Sequence, residues 1–261
     1  IPNIVIRSQE NGEIDYEDLA NSISSRRDKP CIFFLNIGTT MTEAVDQIVE
    51  IKKIIKKYAL KNYYIHCDAA FSGAFAPFIE NGPKFDFAEG IDSISISGHK
   101  FIGSPIPCGI ILTKRQHRNR VANSISYVDT IDTTITGSRN GLTPLFLWDF
   151  ITRNGLEGFT ERANKCQELA EYTLNELKGI GINAWRNPNA LTVVFPKPSQ
   201  DIINFFQLAS DETISHVICV PGIKKEQIDE LIIALKANID QVKSEESQTI
   251  KLHFNQMFDL N

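Results

Sequence analysis

The sequence lacks the features that mark several large classes of protein. It contains no apolar run of about 18 residues, and its first residues do not show the charged and then apolar order of a secretory signal. We therefore expect no membrane-spanning helix and no membrane partner. Basic residues are not in excess, because 27 Lys and Arg stand against 32 Asp and Glu for a net charge of -5. A chain without a positive field binds phosphate backbones poorly, so nucleic acid is not an expected partner.

Paired cysteines are also absent. The 5 cysteines are an odd number and widely spaced, with no CxxC pair and no His at metal-ligand spacing beside them. This pattern predicts reduced thiols in the cytoplasm and gives no indication of a metal site. What remains is a chain of 261 residues, 42% hydrophobic and 23% charged, which has the composition of a globular protein with a core.

Hydrophobic patterning predicts alternating strands and helices in the first 115 residues. Asp15 is the expected N-cap of a helix that ends at Ser25, and apolar spacing of three and four predicts a second helix from about 43 to 60. Short apolar runs predict four strands, at 31–35, 63–67, 94–96 and 109–112. Alternation of this kind indicates an α/β layer fold.

After Pro144 the pattern changes to that of a second, α+β unit. Helical periodicity covers 145–154 and 157–177, with further helices near 200–208 and 224–242, and strands are predicted at 191–195 and 214–220. The polar tail is expected to be loosely held or docked on a partner.

Two polar motifs follow predicted strands and dominate the chemistry. Asp68 follows the strand at 63–67, and Lys100 comes shortly after the strand at 94–96. The carboxyl ends of parallel strands share one edge of a sheet, so both side chains are expected in the same crevice. Pyridoxal phosphate needs a lysine to hold it as a Schiff base and a carboxylate against its ring nitrogen. Taken singly, Asp68 could instead cap a helix and Lys100 could lie on a solvated turn, although Gly98 and Gly103 favour a constrained turn.

Six segments together resemble the group II pyridoxal phosphate-dependent amino acid decarboxylases, and among them the bacterial histidine decarboxylases. The segments run in order across most of the chain: 36–40 (NIGTT), 66–70 (HCDAA), 90–100 (GIDSISISGHK), 103–109 (GSPIPCG), 136–141 (TGSRNG) and 184–187 (AWRN). The resemblance implies an α/β fold of type I, the aspartate aminotransferase-like architecture of pyridoxal phosphate enzymes. It divides the chain into residues 1–155, the C-terminal part of a large cofactor-binding domain, 156–243, a connecting helix with a small α+β domain, and the tail at 244–261.

The same resemblance implies a role for each matched residue. Lys100 forms the Schiff base, Asp68 pairs with the pyridinium nitrogen, and Ala70 packs under the ring. Ser97 and His99 match positions near the cofactor phosphate, where a hydroxyl and an imidazole suit a dianion. Thr40 matches a threonine near the ring hydroxyl and the Schiff base, with a threonine that satisfies a turn as the alternative.

Further along the chain the resemblance implies a shared active site. Ser138 matches a serine offered to the cofactor phosphate of the neighbouring subunit, which predicts a homodimer, whereas Arg139 could equally form a structural ion pair. The segment 123–136 matches a mobile loop that closes over the site, and Tyr127 is its only residue with an obvious acidic proton. The phosphate cup and the ring-stacking histidine of the family lie upstream of Ile1, so the sequence is expected to be an N-terminally truncated part of the enzyme.

The function that the resemblance implies is decarboxylation of L-histidine to histamine and carbon dioxide. Two alternatives remain open from the sequence. The enzyme could act on another amino acid, such as an acidic or aromatic one, because the specificity pocket lies mostly upstream. Alternatively, the chain as given could be a catalytically silent part that only dimerises.

Overall fold

The structure is a computed structural model that describes residues 2–125, 130–133 and 137–240. It divides into two compact units. The first consists of Ile1–Cys166 with Asn187–Ala190, and the second of Gln167–Arg186 with Leu191–Asn261. The tail at 244–261 and the loop residue Tyr127 fall outside the described residues, as does half of the segment 123–136.

A four-stranded sheet forms the centre of the first unit, and it contains the four predicted strands. Its order is β1 (Cys31–Asn36), β2 (Tyr63–Asp68), β3 (Ser93–Ser97) and β4 (Gly109–Thr113). The first three strands are parallel and β4 runs antiparallel to β3. The carboxyl ends of β1, β2 and β3 therefore lie along one edge, as the sequence predicts.

The two early helices follow from capping and periodicity, with one correction. Helix α1 (Tyr16–Ser24) is capped by the Asp15 side chain, which accepts hydrogen bonds from two backbone amides of the first turn. Helix α2 (Ile48–Lys57) begins about five residues later than the predicted start near 43. The residues before α2 pair elsewhere, because Val45 forms a bridge with Ile37 and the Asp46 side chain accepts from the backbone amide of Asn36 at 2.7 Å.

Short elements connect the strands and lead to a long broken helix. The elements are three 3-10 turns (Ser72–Ala74, Ala76–Phe78 and Phe87–Glu89), α3 (Arg115–Val121), the antiparallel pair β5 (Asn123–Ile125) and β6 (Thr130–Asp132), and α4 (Leu142–Gly179). Gly155 interrupts α4 with φ 54° and ψ -168°, between the two helices that the sequence predicts.

The sheet of the first unit presents two different faces. Phe33, Leu35 and Ile65 point to the core face and are at most 4% exposed. On the other face Ile32 and Phe34 are 59% and 61% exposed. Alternation along a strand explains the difference, because successive side chains point to opposite sides.

The second unit is built on an antiparallel sheet of order β7 (Thr192–Pro196), β9 (Ile214–Ile218) and β8 (Ala209–Ser210), with α5 (Gln200–Phe206) and a helix α6 over 225–240. Its buried core joins α4, α6 and the sheet, and includes Leu177, Val193, Phe195, Ile228 and Leu231. In the part of the chain described, no helix is both long enough and apolar enough to cross a bilayer.

Candidate active site

The predicted site residues other than Ser138 lie at or after the carboxyl ends of β1, β2 and β3. Asp68 ends β2 and lies opposite Asn36 of β1 and Ser95 of β3 in the two parallel registers. Thr40 follows β1, and Lys100 follows β3.

Backbone hydrogen bonds continue the strand pairing past Asp68. The amide of Ala69 donates to the carbonyl of Ser95 at 2.9 Å, and the amide of Ser97 donates to the carbonyl of Ala70 at 2.9 Å. These bonds fix the small residue Ala70 beside the end of β3. A residue without a long side chain at this point leaves room for a planar ring against the backbone.

The Asp68 carboxylate is oriented through one oxygen. Its Oδ1 accepts from the Ala70 amide at 3.1 Å and from the Ser95 hydroxyl at 3.2 Å. The carboxylate does not cap a helix, because the next helical turn begins at Ser72 and has Phe71 at its N-cap position. Among the described residues none donates a hydrogen bond to Oδ2, so this oxygen is available to a donor such as a protonated ring nitrogen.

The turn that carries Lys100 requires glycine. A Cβ atom added to Gly98 would lie 2.5 Å from Cys108 Sγ and 2.8 Å from Leu147 Cδ2, so no larger residue fits without a shift. The Gly98 amide donates to the carbonyl of Cys108 at 3.0 Å, and the Ser104 amide donates back to the Gly98 carbonyl at 2.9 Å. These bonds hold the turn tightly. Lys100 lies on this turn, where its side chain is exposed, and not on a helix face.

His99 is held by the same turn through one ring nitrogen. Its Nδ1 lies 3.2 Å from both the amide nitrogen and the carbonyl oxygen of Cys108. The other ring nitrogen has no bond to the described part of the protein and is available to an anion. The arrangement suits the phosphate role that the resemblance implies.

Three further polar groups at this edge have no hydrogen-bond or ion-pair partner among the described residues. Within residues 2–125, 130–133 and 137–240, the hydroxyls of Thr40 and Ser97 and the amine of Lys100 form no hydrogen bond or ion pair. The alternative for Thr40 was a threonine that satisfies a turn, but its neighbour Thr39 does this, since Thr39 Oγ1 accepts from the Ala44 amide at 3.0 Å. Donors without partners around Asp68 fit pyridoxal phosphate.

Ser138 is not brought to the strand ends by any described contact. Ser138 is exposed in the segment before α4. In the same segment Asn140 caps α4, because its Oδ1 accepts from the backbone amides of Leu142 and Thr143 at 3.0 Å each. Arg139 lies 3.9 Å from the Asp132 carboxylate, which agrees with the ion pair considered for it.

His66, Ser93 and Ser95 lie on the same sheet face as Asp68 and were not predicted as site residues. The Nδ1 atom of His66 lies 2.7 Å from Ser93 Oγ, and its Nε2 lies 3.3 Å from Ser95 Oγ. Burial lowers the pKa of His66, and the nearby charge of Asp68 opposes this effect. Polar residues at every second position of two adjacent strands were the signal that could have found them.

Two further residues have structural roles. Cys67 is fully buried beside Asp68, where it packs as a small apolar residue. His117 matches no motif, and its Nε2 lies 3.1 Å from the Asp92 carboxylate, so it is a satisfied structural residue.

Known proteins of similar sequence and structure include decarboxylases. A family model described as the pyridoxal-dependent decarboxylase conserved domain matches residues 2–183. The chain is 45% identical to histidine decarboxylases of Mesorhizobium japonicum, over 87% of this chain and 62% of the relative, and of Morganella morganii, over 89% and 62%. A crystal structure of L-methionine decarboxylase from Streptomyces sp. 590 superimposes with a TM-score of 0.78 at 27% identity, over 88% of this chain and 58% of that one.

The chain thus spans about three fifths of the length of the curated relatives it matches. The fold shared with the solved decarboxylase confirms the predicted fold type I class, and the match to the family model makes pyridoxal phosphate the cofactor. The chain belongs to the pyridoxal-dependent decarboxylase family.

Proposed function

We propose that this chain carries the Schiff-base lysine and the ring-nitrogen carboxylate of an enzyme that converts L-histidine to histamine and carbon dioxide. The observation that carries the proposal is the edge where the available Oδ2 of Asp68 and the exposed amine of Lys100 follow adjacent parallel strands. The greater identity to histidine decarboxylases, 45% against 27% for the L-methionine enzyme, favours histidine as the substrate.

Each residue has a distinct task in this proposal. Lys100 holds the cofactor covalently through Nζ, and Asp68 keeps a proton on the ring nitrogen through Oδ2. When bound, pyridoxal phosphate supplies a ring that withdraws electrons from the substrate's α-carbon. Ser97 and His99 donate to the phosphate, and Thr40 donates beside the ring hydroxyl.

Ala70 sets the surface against which the ring would lie. Ala70 leaves a flat surface for the ring because its backbone is bound to β3 by the Ser97 amide at 2.9 Å.

We propose that residues 1–155 belong to the cofactor-binding domain and 156–243 to the connecting helix and small domain. The interruption of α4 at Gly155 supports a boundary there, whereas the compact units divide later in the same helix, after Cys166.

We further propose that the protein acts as a homodimer in the cytoplasm. Leu142, Leu145, Trp148 and Ile151, which we call the α4 ridge, recur every third residue and are each at least 50% exposed. The ridge follows directly on Ser138, the residue assigned to the neighbouring phosphate. Exposed apolar side chains in such a row favour a protein partner, and a second copy would cover the ridge and deliver Ser138 together. The odd number and wide spacing of the 5 cysteines support a reducing compartment.

Cofactor binding tests the central assignment. The complete protein, incubated with pyridoxal phosphate, should develop the absorbance of a lysine-bound cofactor. Lys100→Ala should abolish that absorbance and turnover, whereas Lys61→Ala, at an exposed lysine that precedes β2 at the opposite end of the strand from Asp68, should change neither. Lysine-bound absorbance that survives Lys100→Ala would refute the assignment. A wild-type protein without that absorbance would favour a chain that only dimerises.

Substrate choice needs a separate experiment. Steady-state kcat/KM across a panel of histidine, methionine, acidic and aromatic amino acids should be highest for L-histidine. A decarboxylase of another amino acid is the second candidate, and the structural match to an L-methionine enzyme is the observation that supports it. A better substrate than histidine in the panel would establish that alternative.

A further inference from the structure

The hydrogen bonds on the open face of β2 and β3 form a continuous chain. Residue pairing puts His66 opposite Ser93 and Asp68 opposite Ser95 in the parallel register. Because alternate residues share a face, these four side chains stand together in one row. The contacts along the row measure 2.7 Å from Ser93 Oγ to His66 Nδ1, 3.3 Å from His66 Nε2 to Ser95 Oγ, and 3.2 Å from Ser95 Oγ to Asp68 Oδ1.

Only one direction of donation satisfies all three contacts. An ionised carboxylate can only accept, so the single Ser95 hydroxyl proton points to Asp68. Ser95 Oγ must then accept from His66, which puts the imidazole proton on Nε2. A neutral imidazole with that proton accepts at Nδ1, and Ser93 supplies the donor. Every donor in the row therefore points towards Asp68.

The surroundings of His66 favour the neutral form that this direction needs. The ring is half-buried on the sheet, and the Phe34 ring packs against it with centroids 4.8 Å apart. Burial disfavours the charged imidazolium. Phe34 provides packing alone, because it cannot take part in the hydrogen-bond chain.

We propose that His66 is a positioning residue for Asp68, acting through Ser95 to hold Oδ1 so that Oδ2 faces the cofactor's ring nitrogen. The inference rests on the proposed function, because orienting Oδ2 matters only if a protonated cofactor ring lies beside that oxygen. His66 itself touches neither the ring nor the substrate in this scheme. Its effect is on the direction and the charge of the carboxylate, which control how firmly a proton stays on the ring nitrogen.

The test reads the ring nitrogen directly, with the complete protein loaded with pyridoxal phosphate labelled with nitrogen-15 in the ring. The nitrogen chemical shift reports protonation without turnover. Wild type should show a protonated nitrogen. Ser95→Ala and His66→Leu should each move the shift towards the unprotonated value and weaken cofactor binding by about tenfold, the effect of losing one hydrogen bond to a charged group.

Matched variants separate positioning from packing. His66→Gln retains a donor towards Ser95 and an acceptor towards Ser93, so it should restore the wild-type shift. Phe34→Leu removes ring packing without touching the chain and should leave the shift unchanged. The double variant Ser95→Ala with His66→Leu should be no worse than Ser95→Ala alone, because both break the same connection.

The outcomes distinguish the two proposals. A wild-type protein whose labelled cofactor does not attach to Lys100 would overturn the proposed function. A wild-type protein with a protonated nitrogen and the same shift in Ser95→Ala and His66→Leu would overturn the role of His66 alone. If His66→Leu does not fold, Ser95→Ala decides, since the smaller change removes one hydroxyl from the same row.

Discussion

Asp92 connects three parts of the first unit through one carboxylate. Its Oδ2 accepts from the Ile65 amide of β2 at 2.9 Å, and its Oδ1 accepts from Lys114 Nζ at 2.9 Å and from His117 Nε2 at 3.1 Å. Burial by itself would raise the pKa of Asp92, but the hydrogen bonds from Ile65, Lys114 and His117 outweigh it and hold the pKa below the ordinary value of 3.8. The ionised form is therefore the one that the fold favours.

The sign of this shift predicts an acid-dependent loss of stability. A carboxyl whose pKa is lower in the folded state stabilises the fold above its unfolded pKa and loses that contribution as pH falls through its folded pKa. Asp92→Asn should lower the free energy of unfolding by about 1–3 kcal/mol near neutral pH, because the bonded carboxylate is lost. Chemical denaturation at a series of pH values should show the gap to wild type narrowing below about pH 4.

The control for Asp92 is an exposed carboxylate. Asp28→Asn changes a side chain that is 71% exposed and paired only with its neighbour Lys29, so its effect should be small at every pH. A gap between Asp92→Asn and wild type that stays constant down to acid pH would contradict the assignment.

Cys67 offers a second prediction at the residue scale. Burial, with the charge of Asp46 as a smaller cause, raises the pKa of Cys67 to about 12. At neutral pH its reactive thiolate is then about one part in 10⁵. Iodoacetamide followed by mass spectrometry should modify the half-buried Cys108 in the native protein and Cys67 only after unfolding. Equal labelling of both under native conditions would show that Cys67 is not buried.

Single residues also show how far the sequence could predict the site. The Asp68 and Lys100 motifs are visible because each follows an apolar strand, and the structure puts both at one edge. The contribution of His66 was not predicted, because its partners Ser93 and Ser95 lie 27 and 29 residues away. Contacts across a parallel register depend on which residues face each other, and the apolar pattern does not determine that.

At the scale of elements, the strands were easier to predict than the helix boundaries. Four apolar runs became four strands, but α2 starts at Ile48 because the preceding residues pair with β1 instead of extending the helix. The antiparallel direction of β4 was not predicted either. A short apolar run has the same appearance in both directions, so neighbouring strands decide its orientation.

Gly155 supports a prediction about α4. Its φ of 54° with ψ of -168° lies in a region that residues with a Cβ rarely adopt. Gly155→Ala should therefore destabilise the protein by about 1–3 kcal/mol, although the added methyl group meets no atom within 4 Å. Gly141→Ala is the matched control, because Gly141 is equally open but has no positive φ. Equal unfolding midpoints for both variants would show that the break in α4 does not depend on Gly155.

At the scale of the whole molecule, the sequence predicted the layers but not which surfaces stay uncovered. The face of β1 that carries Ile32 and Phe34 is apolar and exposed, while the opposite face of the same strand is core. The sequence does not distinguish the two faces, because the apolar residues of β1 are continuous and so occupy both sides of the strand. Exposure of this kind depends on what the rest of the assembly supplies, and an isolated sequence pattern cannot specify it.

The α4 ridge gives the prediction that belongs to the assembly. Trp148 is 64% exposed, and its burial against a second copy would remove a large apolar surface from water. Trp148→Glu should therefore weaken the dimer by at least tenfold, as measured by sedimentation at a series of concentrations, and should release cofactor on dilution in step with dissociation. Ser138→Ala should weaken cofactor binding while leaving the dimer intact.

Phe205→Glu is the control for that experiment, because Phe205 is 79% exposed but belongs to α5 of the second unit and not to the ridge. It should change neither the association constant nor cofactor retention. A Trp148→Glu protein that sediments as wild type does would exclude the ridge as the interface. A monomer that retains its cofactor at high dilution would exclude a site shared between subunits. If Ser138→Ala then bound cofactor with wild-type affinity, the serine would have no part in a site shared between subunits.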